Sequence, residues 1–159
     1  MNYTVVIALG AAAVLAAITA PKVTNMLTTR GIRNNNPGNI MWSPANDWVG
    51  QVGHDGGDYA VFDSPEHGIR AMAVLLRNYA QRHGLRTITG IISTWAPEAG
   101  GNDTAAYIAD VAQRMGVDPN AQLDINAVMP QLIQAIIWHE NGQQPYTVAT
   151  IDTGVRMAA

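Results

Sequence analysis

The chain has 159 residues, a net charge of −3 and an isoelectric point near 5.7, which suits one domain with an appendage. It has no cysteine, which excludes disulfides, a thiol nucleophile and thiolate-bound zinc. Its one lysine, Lys22, and its scattered arginines make no basic patch, which excludes the footprint of a nucleic-acid binder.

Residues 1–20 carry no charged side chain and are apolar on every side. A helix of that length spans about 30 Å, the thickness of a bilayer's hydrocarbon core. Residues 1–21 are therefore expected to be a transmembrane anchor with lipid as its partner, ended by Pro21 and Lys22. A cleaved signal peptide is the rival reading. It lacks the basic residues such peptides carry first, and Pro21 follows the best cleavage point, Ala20. Residues 22–30 read as a linker.

Residues 31–60 are rich in turn formers: Asn34, Asn35, Asn36, Pro37, Gly38 and Asn39, then Gly50, Gly53, Gly56 and Gly57. Short extended pieces are predicted at Asn39–Trp42, Trp48–Val52 and Tyr59–Phe62, so a small hairpin is expected. Helices follow. Ser64-Pro65-Glu66 is a cap, a first-turn proline and a first-turn acid, and the helix it opens should stop at Gly84. Thr87 caps a shorter helix ended by Pro97, and Asp103 caps one ended by Gly116. Asp124 opens the last, which carries Val128, Leu132, Ile133, Ile136 and Ile137 and ends near Asn141-Gly142. Pro130 is expected in its first turn or at its true start. Residues 148–159 show no helical period and read as a tail. The fold class is mostly α, with a small hairpin at most.

The chain has three glutamates, Glu66, Glu98 and Glu140. Glu140 closes the apolar row of the last helix, three and four residues past Ile137 and Ile136. Burial and the negative end of the helix dipole both favour a protonated carboxyl there, which is what a general acid for a glycosidic oxygen requires. Glu66 has a ready structural role against the dipole of its own helix, and Glu98 sits in a glycine-rich loop. His54-Asp55-Gly56-Gly57-Asp58 offers a His and an Asp at a spacing similar to that of some cell-wall zinc peptidases, but the His-x-His pair those also need is missing, so no metal is expected. Asn34, Asn35, Asn36, Asn39, Gln143 and Gln144 carry amides able to bind sugar hydroxyls and N-acetyl groups. Trp42, Trp48, Tyr59, Trp95, Tyr107 and Tyr146 could stack on pyranose faces or fill the core; Trp95 and Tyr107 lie in line with apolar stripes and read as core.

Four segments carry a resemblance. They are Gly31-Ile-Arg-Asn-Asn-Asn-Pro-Gly-Asn-Ile40, Phe62-Asp-Ser-Pro-Glu-His-Gly-Ile-Arg-Ala71, Trp95-Ala-Pro97 with Asn102-Asp-Thr-Ala-Ala-Tyr-Ile108, and His139-Glu-Asn-Gly-Gln-Gln-Pro-Tyr146. Their order and spacing, over roughly residues 30–147, resemble phage and prophage virion proteins described as structural or as lysozyme-like peptidoglycan-degrading proteins. More distantly, Ile136-Ile-Trp-His-Glu140-Asn-Gly142 is similar to the segment of lytic transglycosylases and muramidases in which the catalytic glutamate ends an apolar helix. Asn39-Ile40 and Phe62-Asp-Ser64 resemble segments that follow that helix in related glucosaminidases, but here they precede it. The order is thus permuted, and Glu140 alone carries over with a role.

The resemblance implies a lysozyme-like domain over residues 31–147, cleaving the MurNAc–GlcNAc strand of peptidoglycan without a cofactor, either as a lytic transglycosylase through the sugar's own 6-hydroxyl, which a single clear carboxylate favours, or as a muramidase through water. Glu140 would be the acid and Glu66 the second catalytic candidate, with Asp63 and Asp58 as further carboxylates. Asn34, Asn35, Asn36, Asn39, Trp42, Tyr59, Gln143 and Tyr146 are the substrate-binding candidates. The implied place is a single-pass protein of a phage membrane, acting at the host wall, with other virion proteins as neighbours. Lys22, Arg30 and Arg33 follow the anchor and favour the domain on the interior side of that membrane. Two alternatives stay open: a non-catalytic glycan-binding or structural virion protein, and a wall amidase or endopeptidase.

Overall fold

The computed structural model describes residues 28–159. The expected anchor lies outside them. Among the described residues no helix is long and apolar enough to cross a membrane.

The expected linker ends in a short helix, α1 (Arg30–Arg33). Strands β1 (Gln51–His54) and β2 (Ala60–Phe62) pair antiparallel with a register irregularity between Gln51 and Gly53. Of the three extended pieces expected, the first supplies only one bridge, Met41 with Tyr59. Then come α2 (Pro65–Arg82), α3 (Ile88–Trp95), a 3-10 turn (Glu98–Gly100), α4 (Thr104–Met115) and α5 (Ile125–Asn141). Ser64, Thr87, Asp103 and Asp124 each accept from a first-turn backbone N–H of the helix that follows, as their sequence positions predict.

Helix α5 is the axis of the domain. It packs on α1, α2 and α4 and on a last helix, α6 (Val148–Met157). Met129, Leu132, Ile133, Ile136 and Ile137 are wholly buried in it, against Ile69, Met72 and Leu76 of α2 and Val111 of α4 in one core. Each such side chain contributes roughly 1.5–3 kcal/mol of transfer free energy.

Two expectations are corrected. The tail is the helix α6, capped by Thr147 and buried at Ile151 and Gly154, with Gly154 seated on Ile69 of α2. Its threonines and glycine are weak helix formers, so packing rather than propensity makes it helical. Pro130 is not in the first turn but six residues into α5. The Asp124 cap accepts from both Asn126 and Ala127, and Ile125 and Met129 are buried, so the helix starts upstream and tolerates the missing N–H at Pro130.

Candidate active site

Glu140 is in the last turn of α5, just before the left-handed cap Gly142. Its neighbour Asn141 fixes that end of the helix. Asn141 Nδ2 donates to the carbonyls of Pro37 (2.8 Å) and Ile137 (2.9 Å), and its Oδ1 accepts from the Thr29 hydroxyl. The loop after α1 is thereby held against the carboxylate.

Three neutral donors from three parts of the chain converge on Glu140. Tyr107 of α4 donates its hydroxyl to Oε1 at 2.7 Å, Trp95 at the end of α3 donates Nε1–H to Oε1 at 3.2 Å, and Asn39 donates Nδ2–H to Oε2 at 2.9 Å. Asn39 is in left-handed backbone (φ 47°), which brings its amide round to the site. Gly38 must lack a side chain, because a Cβ there would lie 2.8 Å from the Trp95 ring and 2.9 Å from Met72. Burial, then the Glu140 charge, push the Tyr107 hydroxyl far above its usual range, so it stays a protonated donor.

These partners border two clefts. One, of about 200 Å³, is lined by Asn39, Ile40, Met41, Leu75, Tyr79 and Trp95. The other, of about 230 Å³, is lined by Asn102, Asp103, Ala106, Tyr107, His139 and Glu140. Among the described residues Glu140 forms no ion pair.

Behind Tyr107 lies a second layer. The His139 ring stacks on Tyr107 (3.6 Å between centroids), and its Nδ1–H donates to Asp110 Oδ2 at 2.9 Å. Asp110 also pairs with Arg114 at 2.9 Å. Burial pushes the Asp110 carboxyl up, but hydrogen bonds from Arg114 and His139 outweigh it and leave it below the usual range. Such a group stabilises the fold fully above its unfolded value near 3.8 and loses that contribution as pH falls through its lower folded value. Asp110→Asn is therefore expected to cost about 1 kcal/mol at pH 7. Melting curves of variant and parent should converge as pH drops below 3.8.

The other candidates scatter. Glu66 is in the first turn of α2 and does not touch Glu140; its charge acts on Tyr146, whose hydroxyl is pushed up to about 12, first by burial and then by Glu66. Asn36 is wholly buried, and its side chain joins the Ile40 and Ala60 carbonyls and the Ile40 N–H. Asn34 donates to Asp55, and Asn35 to the Phe62 carbonyl. These amides are spent on holding the loop to the hairpin, which leaves Asn36 no exposed group for a ligand. Trp42 stacks on His54, and Arg30 covers Tyr59. Gln143 is half-buried just past the α5 cap. Asp63 is bound to His67, and Asp58 is an exposed turn residue near His54. Among the described residues no three His, Cys, Asp or Glu gather as a metal site.

Sequence reasoning missed Asp103 as a cleft residue and His139 and Asp110 as the support of Tyr107. The one available signal was spacing: Tyr107 is one turn past Asp103, the cap of α4, and Asp110 is one turn past Tyr107.

No family model matches the chain. It is 44% identical over 128 residues to Protein P5 of Pseudoalteromonas phage PM2, covering 79% of this chain and 79% of that protein. The chain belongs to the family of this bacteriophage protein.

Proposed function

We propose that the domain is a peptidoglycan glycosidase in which Glu140 protonates the oxygen bridging MurNAc and GlcNAc. The observation that carries this reading is the caged carboxylate. Three neutral donors orient it, no ion pair among the described residues neutralises it, and it lines an open cleft. A carboxyl fixed in direction at the edge of an open cleft is suited to general acid work. The setting proposed with it is a virion protein, held by residues 1–21 in a phage membrane, that opens the host wall locally; a bacteriophage relative is in keeping with that setting.

Asp103 supports attack by water. It lines the Glu140 cleft, and its Oδ1 caps α4 by accepting from Ala106 N–H at 3.0 Å. A cleft of 230 Å³ has room for water beside a sugar edge. Asn caps a helix as well as Asp does, so Asp103→Asn removes the charge and keeps the helix start. It is expected to lower release of reducing MurNAc ends about 100-fold with an unchanged melting temperature. Equal release of reducing ends by both proteins would remove Asp103 from this role, and anhydro-MurNAc ends in place of reducing ones would assign the attack to the sugar's own 6-hydroxyl.

The test of the reading is mass spectrometry of muropeptides released from purified walls. Glycan fragments ending in reducing or anhydro-MurNAc are the expected products. Free peptide amines with intact glycan would make it an amidase or endopeptidase, and binding without any product would make it a glycan-binding protein.

A further inference from the structure

The largest cavity among those described is not at Glu140. It lies on the opposite side of α5, has a volume of about 480 Å³, and is lined by Arg114, Gln131, Gln134, Ala135, Trp138 and Gln144. That is within the range of small-molecule sites, roughly 300–1,000 Å³. Trp138 and Glu140 are two residues apart on one helix and so face about 200° apart.

The lining has a specific character. Trp138 is 40% exposed on a helix whose other large apolar residues are mostly buried. Arg114 lies over the indole, with Cζ 4.7 Å from the ring centroid, and its Nε is fixed by Asp110 at 2.9 Å. The loop after α5 closes one wall, because Gln144 Nε2 donates to the Gln134 carbonyl and its Oε1 accepts from Tyr146 N–H. A flat aromatic surface thus sits among three primary amides and a guanidinium that is already paired. A purely anionic ligand would find no free cation there. A purely apolar one would cover the Gln131 and Gln134 amides without giving them partners. An N-acetylated pyranose satisfies both parts: its C–H face covers the indole, and its hydroxyls and acetamide meet planar amide donors and acceptors.

We propose that this cavity is an accessory saccharide site that takes an N-acetylated sugar of a glycan strand, separate from the clefts at Glu140. It rests on the glycosidase reading only for the choice of polymer. A second hold on an insoluble strand keeps the domain at the wall between encounters and raises the effective concentration of cleavable bonds.

The test uses the full chain carrying Glu140→Gln, so that the polymer is bound without being cut. Trp138→Ala in that background is expected to weaken co-sedimentation with purified walls about tenfold, and Trp138→Phe to keep most of it. Titration with the tetramer of N-acetylglucosamine, followed by amide resonances, should shift residues around Trp138 as well as those around Glu140. Unchanged wall binding by Trp138→Ala with a native circular dichroism spectrum would overturn the proposal, and so would shifts confined to the Glu140 clefts. Binding that depends on Trp138, in a parent protein that releases no glycan fragments, would uphold this site and defeat the glycosidase reading.

Discussion

Glu140→Gln is expected to abolish wall digestion, with a loss of about a thousandfold, while the protein folds and melts much like the parent. The reason is in the cage. Tyr107 and Trp95 both donate to Oε1, so a glutamine can keep those two bonds with its own carbonyl oxygen. Its amide nitrogen then faces Asn39 Nδ2, donor against donor. Asn39 Oδ1, however, is buried without a hydrogen-bond partner among the described residues. A half-turn of the Asn39 amide presents that oxygen to the new N–H, and the cage closes again. The cost in stability should stay within about 1 kcal/mol. Glu140→Ala is a different experiment, because it strands three donors at about 1–3 kcal/mol each and tests the fold instead. Turbidity loss of purified walls measures the first variant. Full activity in Glu140→Gln would remove Glu140 from the acid role, because no proton could then come from that position.

Glu140 was legible in the sequence for one reason: a carboxylate closed an apolar row at helical spacing, and the structure puts it where that row meets open clefts. Its partners were not legible. Trp95 and Tyr107 fell on apolar stripes, and their rings do pack with the core. Periodicity assigns a side chain to a face; it does not say what an indole N–H or a phenol at the end of that side chain will meet. The asparagine run shows the same limit from the other side. An amide that can bind a sugar can equally bind backbone, and Asn36 has every such group committed inside the loop. Caps were read correctly because their logic is local. Helix α6 was missed because its logic is not: its contribution is Ile151 and a glycine that lets it lie on α2.

Gly68→Ala sets two effects of opposite sign against each other. Gly68 is inside α2, where alanine is the better helix former by about 1 kcal/mol, so propensity alone predicts a more stable protein. Yet a Cβ at Gly68 would lie 1.9 Å from the Asn35 carbonyl oxygen and 3.0 Å from Pro37 Cδ. Neither can retreat easily. Asn35 is in left-handed backbone with its side chain bound to the Phe62 carbonyl, Asn36 N–H donates to Gly31, and Asn141 holds the Pro37 carbonyl. The clash should win, costing on the order of 3 kcal/mol and lowering the melting temperature by roughly 10 °C. Gly56→Ala is the control, since nothing lies within 4 Å of a Cβ there and its backbone is not left-handed. A Gly68→Ala protein that melts at or above the parent temperature would mean the loop is not clamped. The consequence reaches the site, because the same loop carries Asn39 to Glu140. The segments Gly31–Ile40 and Phe62–Ala71 meet at Gly68, so their side-by-side fit sets the position of one of the three donors on the carboxylate.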